Sequence, residues 1–204
     1  MNLIGLVGTK HSGKTTVANF IAERNRPYKT IIRGFADPLK EEVAKACDVT
    51  VDFLEEHKEN FRLILQGWGT DFKRKIIRDD YWIQQMIYFI AKKVPADVHT
   101  VVIPDVRYIN EAKFVSEVGG VLIRIHRITG LTDTHSSETE SEKIDCHYTI
   151  NNNYSLEGLR ESCKEVLCRI NKNYEHIHTS RSNNTRQSST STSQSGLTGL
   201  SSNR

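Results

Sequence analysis

The sequence has little cysteine, no long apolar run and no charge surplus over most of its length, and each shortage removes a class of protein. Four cysteines in 204 residues (Cys47, Cys146, Cys163, Cys168) are too few for a disulfide framework and fit no zinc spacing, so they read as reduced thiols. No run of about 18 apolar residues occurs. The amino terminus also lacks a basic segment leading into an unbroken apolar one. Neither a membrane span nor a signal peptide is expected, and the chain is read as cytoplasmic. The net charge of +3 comes from its end: Thr179 to Arg204 hold three arginines and no acid, leaving 25 basic against 25 acidic residues elsewhere. A formally neutral body offers no overall basic surface for counterion release, which argues against a dedicated DNA or RNA binder. No internal repeat is visible.

What is present, 37% hydrophobic and 26% charged residues, suffices for one globular domain with a core and a tail. From Thr179 onward nearly every residue is Ser, Thr, Asn, Gln, Gly or Arg, which cannot bury enough apolar surface to offset the entropy of ordering. The expected organisation is a domain over 1–175 and a disordered Ser/Thr-rich tail over 176–204. Within the domain, short apolar runs alternate with segments of helical period, the pattern of an α/β fold. Strands are expected at Asn2–Val7, Lys29–Arg33, Thr100–Pro104, Val121–Ile125 and Tyr148–Ile150. Helices are expected at Gly13–Arg24, Pro38–Ala46, Lys58–Ile77, Tyr81–Lys93, Asn110–Val118 and Leu156–Asn171. The last follows Ser155, a good cap, and carries Leu159, Val166, Leu167 and Ile170 as an apolar stripe. Right-handed crossovers then give a doubly wound, five-stranded parallel sheet with helices on both faces.

Directly after the first strand, Gly8-Thr9-Lys10-His11-Ser12-Gly13-Lys14-Thr15 matches G-x-x-x-x-G-K-[ST] in full and runs into a helical pattern. Glycine is needed where side chains would collide with phosphate oxygens or where φ is positive, which suits Gly8 and Gly13. Successive N–H groups, including those of Lys10, His11 and Ser12, would face the anion, and the helix adds its positive end. Lys14 would reach the β and γ phosphates of ATP, Thr15 would ligate Mg²⁺, and Thr16 offers a further hydroxyl toward the α phosphate. Strand, turn and helix agree on a nucleoside triphosphate site of the P-loop kind. The motif alone does not choose among switches, motors, hydrolases and kinases.

Asp105, at the carboxyl end of the third strand, is placed where ligands bind in such sheets and could hold the magnesium shell through water. Arg107 would face the same crevice. Asn110 and Glu111 read equally well as the cap and first turn of the next helix. Arg127 ends the fourth strand and opens a long polar segment to Glu142, the profile of a lid over about 127–142 that brings an arginine to the transferring group. His135 within it has no partner histidine at metal-binding spacing. Arg62 and Gln66 share one helix face. Gly67 and Gly69 would break or end their helix, with Trp68 and Trp82 bracketing the turn. An arginine for a phosphate, an amide for a base edge and aromatics to stack make an acceptor pocket, while both tryptophans could equally be core.

With these residues assembled, the chain resembles the deoxynucleoside monophosphate kinases of tailed bacteriophages. The resemblance runs from Leu3 to about Val166. It rests on the glycine-lysine turn with Lys10, on Phe35-Ala36-Asp37-Pro38-Leu39-Lys40, on LQGWGTD followed by DDYW, on VVIPDVRYINEA, on the paired glycines before strand four and on THSSETE. It implies a P-loop nucleotide kinase with a lid and a helical monophosphate-binding region over about 35–95, transferring the γ-phosphoryl of ATP to a deoxynucleoside monophosphate. Arg62, Gln66 and Trp82 match acceptor-site positions of that family, and Lys10 and Lys14 match cradle positions. Asp37, Lys40 and Trp68 join the acceptor candidates. Some relatives have arginine at the position of His11, an acid at that of Thr15, and an insertion before the LQ helix, so the choice of base stays open. The resemblance leaves a homodimer open as well, and would put the protein in a host cytoplasm if it is viral.

An acceptor phosphate oxygen is already anionic at neutral pH, so such a transfer needs positive charge and alignment rather than a general base. Lys14, Arg127 and Arg107 are the catalytic candidates, with Mg²⁺ on Thr15 and Asp105. Three other readings stand beside this one: a kinase of another phosphorylated small molecule such as phosphomevalonate, a kinase of a hydroxymethylated base within DNA, and a nucleotide-binding regulator without turnover.

Overall fold

The computed structural model describes residues 1–128 and 140–172. Five strands, β1 (Asn2–Val7), β2 (Lys29–Ile32), β3 (Val98–Val106), β4 (Val121–His126) and β5 (Tyr148–Asn151), form one parallel sheet in the order β2-β3-β1-β4-β5. The chain divides into two compact units, Met1–Lys164 and Glu165–Arg204. The sheet lies wholly in the first.

β1 carries no polar side chain from Leu3 to Val7 because that stretch is central and covered on both sides. On one face Leu3 and Val7 join Val101 and Ile103 of β3 in a core closed by Trp82, Ile83 and Met86 of α5 (Tyr81–Lys92) and by Ala112 and Val115 of α6 (Ile109–Glu117). Ile4 and Leu6 point the other way by strand alternation. That is the side of α1 (Lys14–Arg24), which packs on β1, β2 and β3 and buries Val17, Ala18, Phe20 and Ile21. The expected five-stranded sheet with helices on both faces is therefore present. Among the described residues no helix is long and apolar enough to cross a membrane, and none of the four cysteines is in a disulfide.

Two differences from the expected elements matter for the site. β3 runs on through Pro104 and Asp105 to Val106, and its pairing with β1 shifts register between Gly5 and Val7. Proline has no N–H for the ladder, so the strand bulges there. The second difference is the helix expected over Lys58–Ile77 with a break at Gly67 and Gly69. α2 (Asp37–Ala46) is followed by a short α3 (Val51–Glu56), which was not anticipated, and then by α4 (Lys58–Gln66). The glycines do not end α4. Gly67 stays helical (φ −62°, ψ −47°), and the chain continues as an eleven-residue π-helix, Gly67–Ile77. Leu39 of α2 presses where a Cβ on Gly69 would sit, 2.6 Å from its Cδ2. The Gly69 carbonyl accepts the Trp82 indole N–H at 3.0 Å. Close packing, not a turn, is what the glycine serves.

The helix over 156–172 buries Leu159, Cys163, Val166, Leu167 and Ile170, as its period predicts. The expected tail over 176–204 and the middle of the expected lid, 129–139 with His135, lie outside the described residues.

Candidate active site

The turn between β1 and α1 has the backbone its letters require. Gly13 sits at φ 100° and His11 at φ 62°, both in the left-handed region, and Ser12 N–H donates to the Thr9 carbonyl at 3.2 Å. Lys14 is nearly buried, its ammonium donating to the carbonyls of Gly8 and Thr9 at 2.7 Å each. Thr15 is exposed and Thr16 half-buried, so both hydroxyls are accessible at the amino end of α1.

This turn forms one wall of an open cleft of about 730 Å³, the size range of small-molecule sites. Lys10, His11, Gly13, Lys14, Thr15 and Thr16 line it from the turn; Asp37 and Lys40 from α2; Arg62 and Gln66 from α4; Trp82, Asp105, Arg107 and Arg127 complete it. Three of the expected residues do not line the cleft. Gly8 packs against the Ile125 carbonyl and the buried Ser12 side chain. Ser12 is fully buried with an unpartnered Oγ, so only its backbone can serve an anion. Trp68 packs against the small core of Val43, Ala44 and Leu54, and its indole donates to Glu42 at 2.9 Å. That core takes up its ring, which is why it is absent from the cleft wall. Trp82, by contrast, is both core and cleft wall, 4% exposed.

Eight lysines and arginines face four carboxylates along the cleft. A chain whose body is formally neutral thus concentrates its cations where a phosphate would lie. The acids are mostly engaged. Both oxygens of Asp105 accept N–H groups, from Phe35 at 2.8 Å and Ala36 at 2.9 Å, so the bulged end of β3 ties down the entrance to α2. Asp37 accepts from Gly34 N–H at 2.7 Å and from Lys40 at 3.2 Å. Lys40 also pairs with Glu55. Burial alone would lower the Lys40 pKa, but its bond to Glu55 and the charges of Asp37, Glu55 and Asp105 outweigh it and hold the ammonium above its ordinary range.

The structure gives a place in or beside the cleft to four residues that the sequence reading did not count among the site candidates. Glu59 reaches from α4 to both Lys10 (2.6 Å) and Arg62 (3.2 Å) across the mouth of the cleft. Those bonds, with Lys10 first, keep its carboxyl below the usual range. Glu111 is buried at the start of α6. It accepts from the N–H groups of Arg107 (2.9 Å) and Tyr108 (3.1 Å) and pairs with the buried Arg74 at 3.1 Å. Burial pushes its carboxyl up to about 7, against the opposing pull of Arg74 and the two N–H groups. It is therefore more than a first-turn acid. Tyr108 also lines the cleft, with the Arg74 guanidinium 3.7 Å over its ring and Thr70 at 3.1 Å from its hydroxyl. Asn152, past the end of β5, is buried and donates to the Ser12 carbonyl at 2.8 Å. Only Glu59, three residues before Arg62 on a helix, left a signal that sequence spacing could have caught.

Among the described residues no three His, Cys, Asp or Glu side chains converge as a metal cage. The donor set is a hydroxyl at a helix amino terminus with a carboxylate nearby, which suits a cation that keeps phosphate and water ligands, as Mg²⁺ does.

The family model for deoxynucleotide monophosphate kinases matches residues 47–163. A protein of Acanthamoeba polyphaga mimivirus named as a deoxynucleotide monophosphate kinase is 36% identical over 170 residues, 71% of this chain and 84% of that one. Among solved structures the chain is similar to shikimate kinase from Aquifex aeolicus vf5, at 17% identity and a TM-score of 0.47 over 84% of this chain and 98% of the other. It is also similar to a gluconokinase from Sinorhizobium meliloti 1021, at 15% identity and a TM-score of 0.48 over 86% and 97%. Both likenesses are too distant to bear on the substrate. The family match takes in Arg62, Gln66, Arg74, Asp105, Glu111 and Arg127, the cleft walls other than the glycine-lysine turn and the start of α2, and the viral relative extends over more than two thirds of the sequence; the chain belongs to the deoxynucleotide monophosphate kinase family.

Proposed function

We propose that this chain transfers the γ-phosphoryl group of ATP to a deoxynucleoside monophosphate, releasing ADP and a deoxynucleoside diphosphate for nucleotide supply. The observation that carries the reading is a single cleft in which Lys14, Thr15 and Thr16 share walls with Arg62 and Gln66. A triphosphate on the turn and a monophosphate on α4 would meet in the same space. An oxygen of the acceptor phosphate forms the new bond to the γ phosphorus while the bond to the β–γ bridging oxygen breaks. No proton has to leave first, so the transfer requires no dedicated base.

The side chains divide by position. Lys14 would exchange its bonds to Gly8 and Thr9 for β and γ oxygens, and Arg127 would neutralise the equatorial oxygens as they pass. Arg62, with Arg107 on the facing wall, would hold the acceptor phosphate. Gln66 and Trp82 would meet its base, and Asp37 and Lys40 would support that side. Thr15, with phosphates and water, would hold Mg²⁺; Asp105, whose oxygens are already bonded, would reach it only through water. When bound, the cation supplies charge neutralisation between the β and γ groups. ATP and a free monophosphate as partners, rather than nucleic acid, and a cytoplasmic site of action belong to the same proposal, as does a phage-type enzyme within the family.

A coupled ADP-release assay across deoxy- and ribonucleoside monophosphates, modified pyrimidines and phosphomevalonate tests the reading. Turnover is expected with at least one deoxynucleoside monophosphate. Lys14→Ala should lower it by orders of magnitude while far-UV circular dichroism is unchanged. Near-normal turnover in that variant, or no turnover with any deoxynucleotide, would refute the proposal.

A further inference from the structure

We propose that Asn152 is a positioning residue of the phosphate cradle: its side-chain amide fixes the Ser12–Gly13 peptide so that the Gly13 N–H faces the donor phosphates. The inference rests on the proposed use of the turn for ATP and goes beyond it, since Asn152 lies outside the motif and does not line the cleft.

The argument starts from the peptide plane. In a trans peptide the C=O and the following N–H point in opposite directions. The Ser12 carbonyl points at Asn152 Nδ2, 2.8 Å away and behind the turn. Gly13 itself lines the cleft. The Gly13 N–H, opposite that carbonyl, is thereby directed to the cleft side, where an anion would accept from it. Turned over, the same peptide would present an oxygen to a polyanion.

Gly13 makes this lock necessary. At φ 100° it occupies a conformation that other residues reach with strain, and a Cβ there would collide with Asn152 Nδ2. The missing Cβ that admits the amide also removes the steric barrier to rotation of the adjoining peptide. Ser12 cannot compensate, because its Oγ is fully buried and bonded to nothing. Asn152 is itself held firmly: its own N–H donates to the His126 carbonyl at 2.7 Å, extending the β4–β5 ladder by one bond. The next residue, Asn153, accepts from Ile128 N–H at 2.8 Å and braces the chain just beyond Arg127. The end of β5 therefore fixes the cradle on one side and the departure of the chain from β4 on the other.

The test is the split between the KM for ATP and the KM for the deoxynucleotide in the full chain. Asn152→Asp keeps the shape but sets a carboxylate against the Ser12 carbonyl. It should raise the KM for ATP at least about tenfold and leave that for the monophosphate within about twofold, with a lower Tm from the buried charge. Asn152→Ala removes the lock without adding charge and should raise the KM for ATP about threefold or more, again selectively; it decides the matter if the aspartate variant does not fold. An unchanged KM for ATP in Asn152→Ala would overturn the inference. So would a parallel rise in both constants with a falling Tm, or failure of both variants to fold, since each marks a merely structural role. A wild-type chain that binds no ATP would overturn the proposed function and this inference together.

Discussion

Glu59 stands where a substrate anion would be expected, its two oxygens shared between Lys10 of the cradle and Arg62 of α4. In the proposed function, a phosphate approaching Arg62 would compete with that carboxylate. Glu59→Gln removes the competing charge and should lower the KM for the monophosphate by about two- to fivefold, the scale of an exposed ion pair. Steady-state kinetics at low ionic strength would show it, and a KM that stays the same or rises would contradict it. The residues legible in the sequence are those whose chemistry is local. Gly13, Lys14 and Thr15 are consecutive and stand on one strand-to-helix turn, and Arg62 and Gln66 are one helical turn apart. The ones that stayed hidden act over distance along the chain: the partners in the Asn152–Ser12 bond are 140 residues apart, those in Lys10–Glu59 are 49 apart, and those in Arg74–Glu111 are 37 apart. No spacing rule links such pairs before the fold brings them together.

At the level of elements, the π-helix was the least legible feature. Its apolar period and its two glycines read as a helix that stops, because propensity counts glycine as a breaker without asking what lies opposite. The two glycines in fact differ. Nothing lies within 4 Å of a Cβ placed on Gly67, whereas one placed on Gly69 meets Leu39 at 2.6 Å. Gly67→Ala should therefore stabilise the protein by about 0.5–1 kcal/mol through lower backbone entropy in the unfolded chain. Gly69→Ala should destabilise it by about 1–3 kcal/mol through overpacking. Denaturant titration of the pair checks both signs, and two shifts of the same sign would show that the winding, not the contact, sets the cost. The strands were read almost to the residue because a central parallel sheet leaves continuous apolar runs. β3 outran its expected end because Pro104 masks the continuation.

For the molecule as a whole, Glu111 and Arg74 tie α6 to the π-helix across the wall of the cleft, so their charge state bears on global stability. The Glu111 carboxyl is raised by burial from 4.5 to about 7 in the folded chain. The fold thus favours the neutral acid: the associated stability is fully present below pH 4.5 and is lost as pH rises through 7. Glu111→Gln, which is neutral at every pH, should remove that dependence. The Tm of the wild type relative to the variant should fall between pH 4.5 and 7, by the equivalent of on the order of 3 kcal/mol. Parallel Tm profiles would show that Arg74 and the backbone donors cancel the effect of burial.

The position of β1 in the sheet has a consequence for the nascent chain. It pairs with β3 on one edge and β4 on the other. The strand that leads into the glycine-lysine turn thus leaves the ribosome before either neighbour, and gains its second flanking partner only after Val121 and the following residues have emerged. Anything that halts translation earlier leaves the turn on a strand with one side bare, so the proposed ATP site would be completed only when β4 is made.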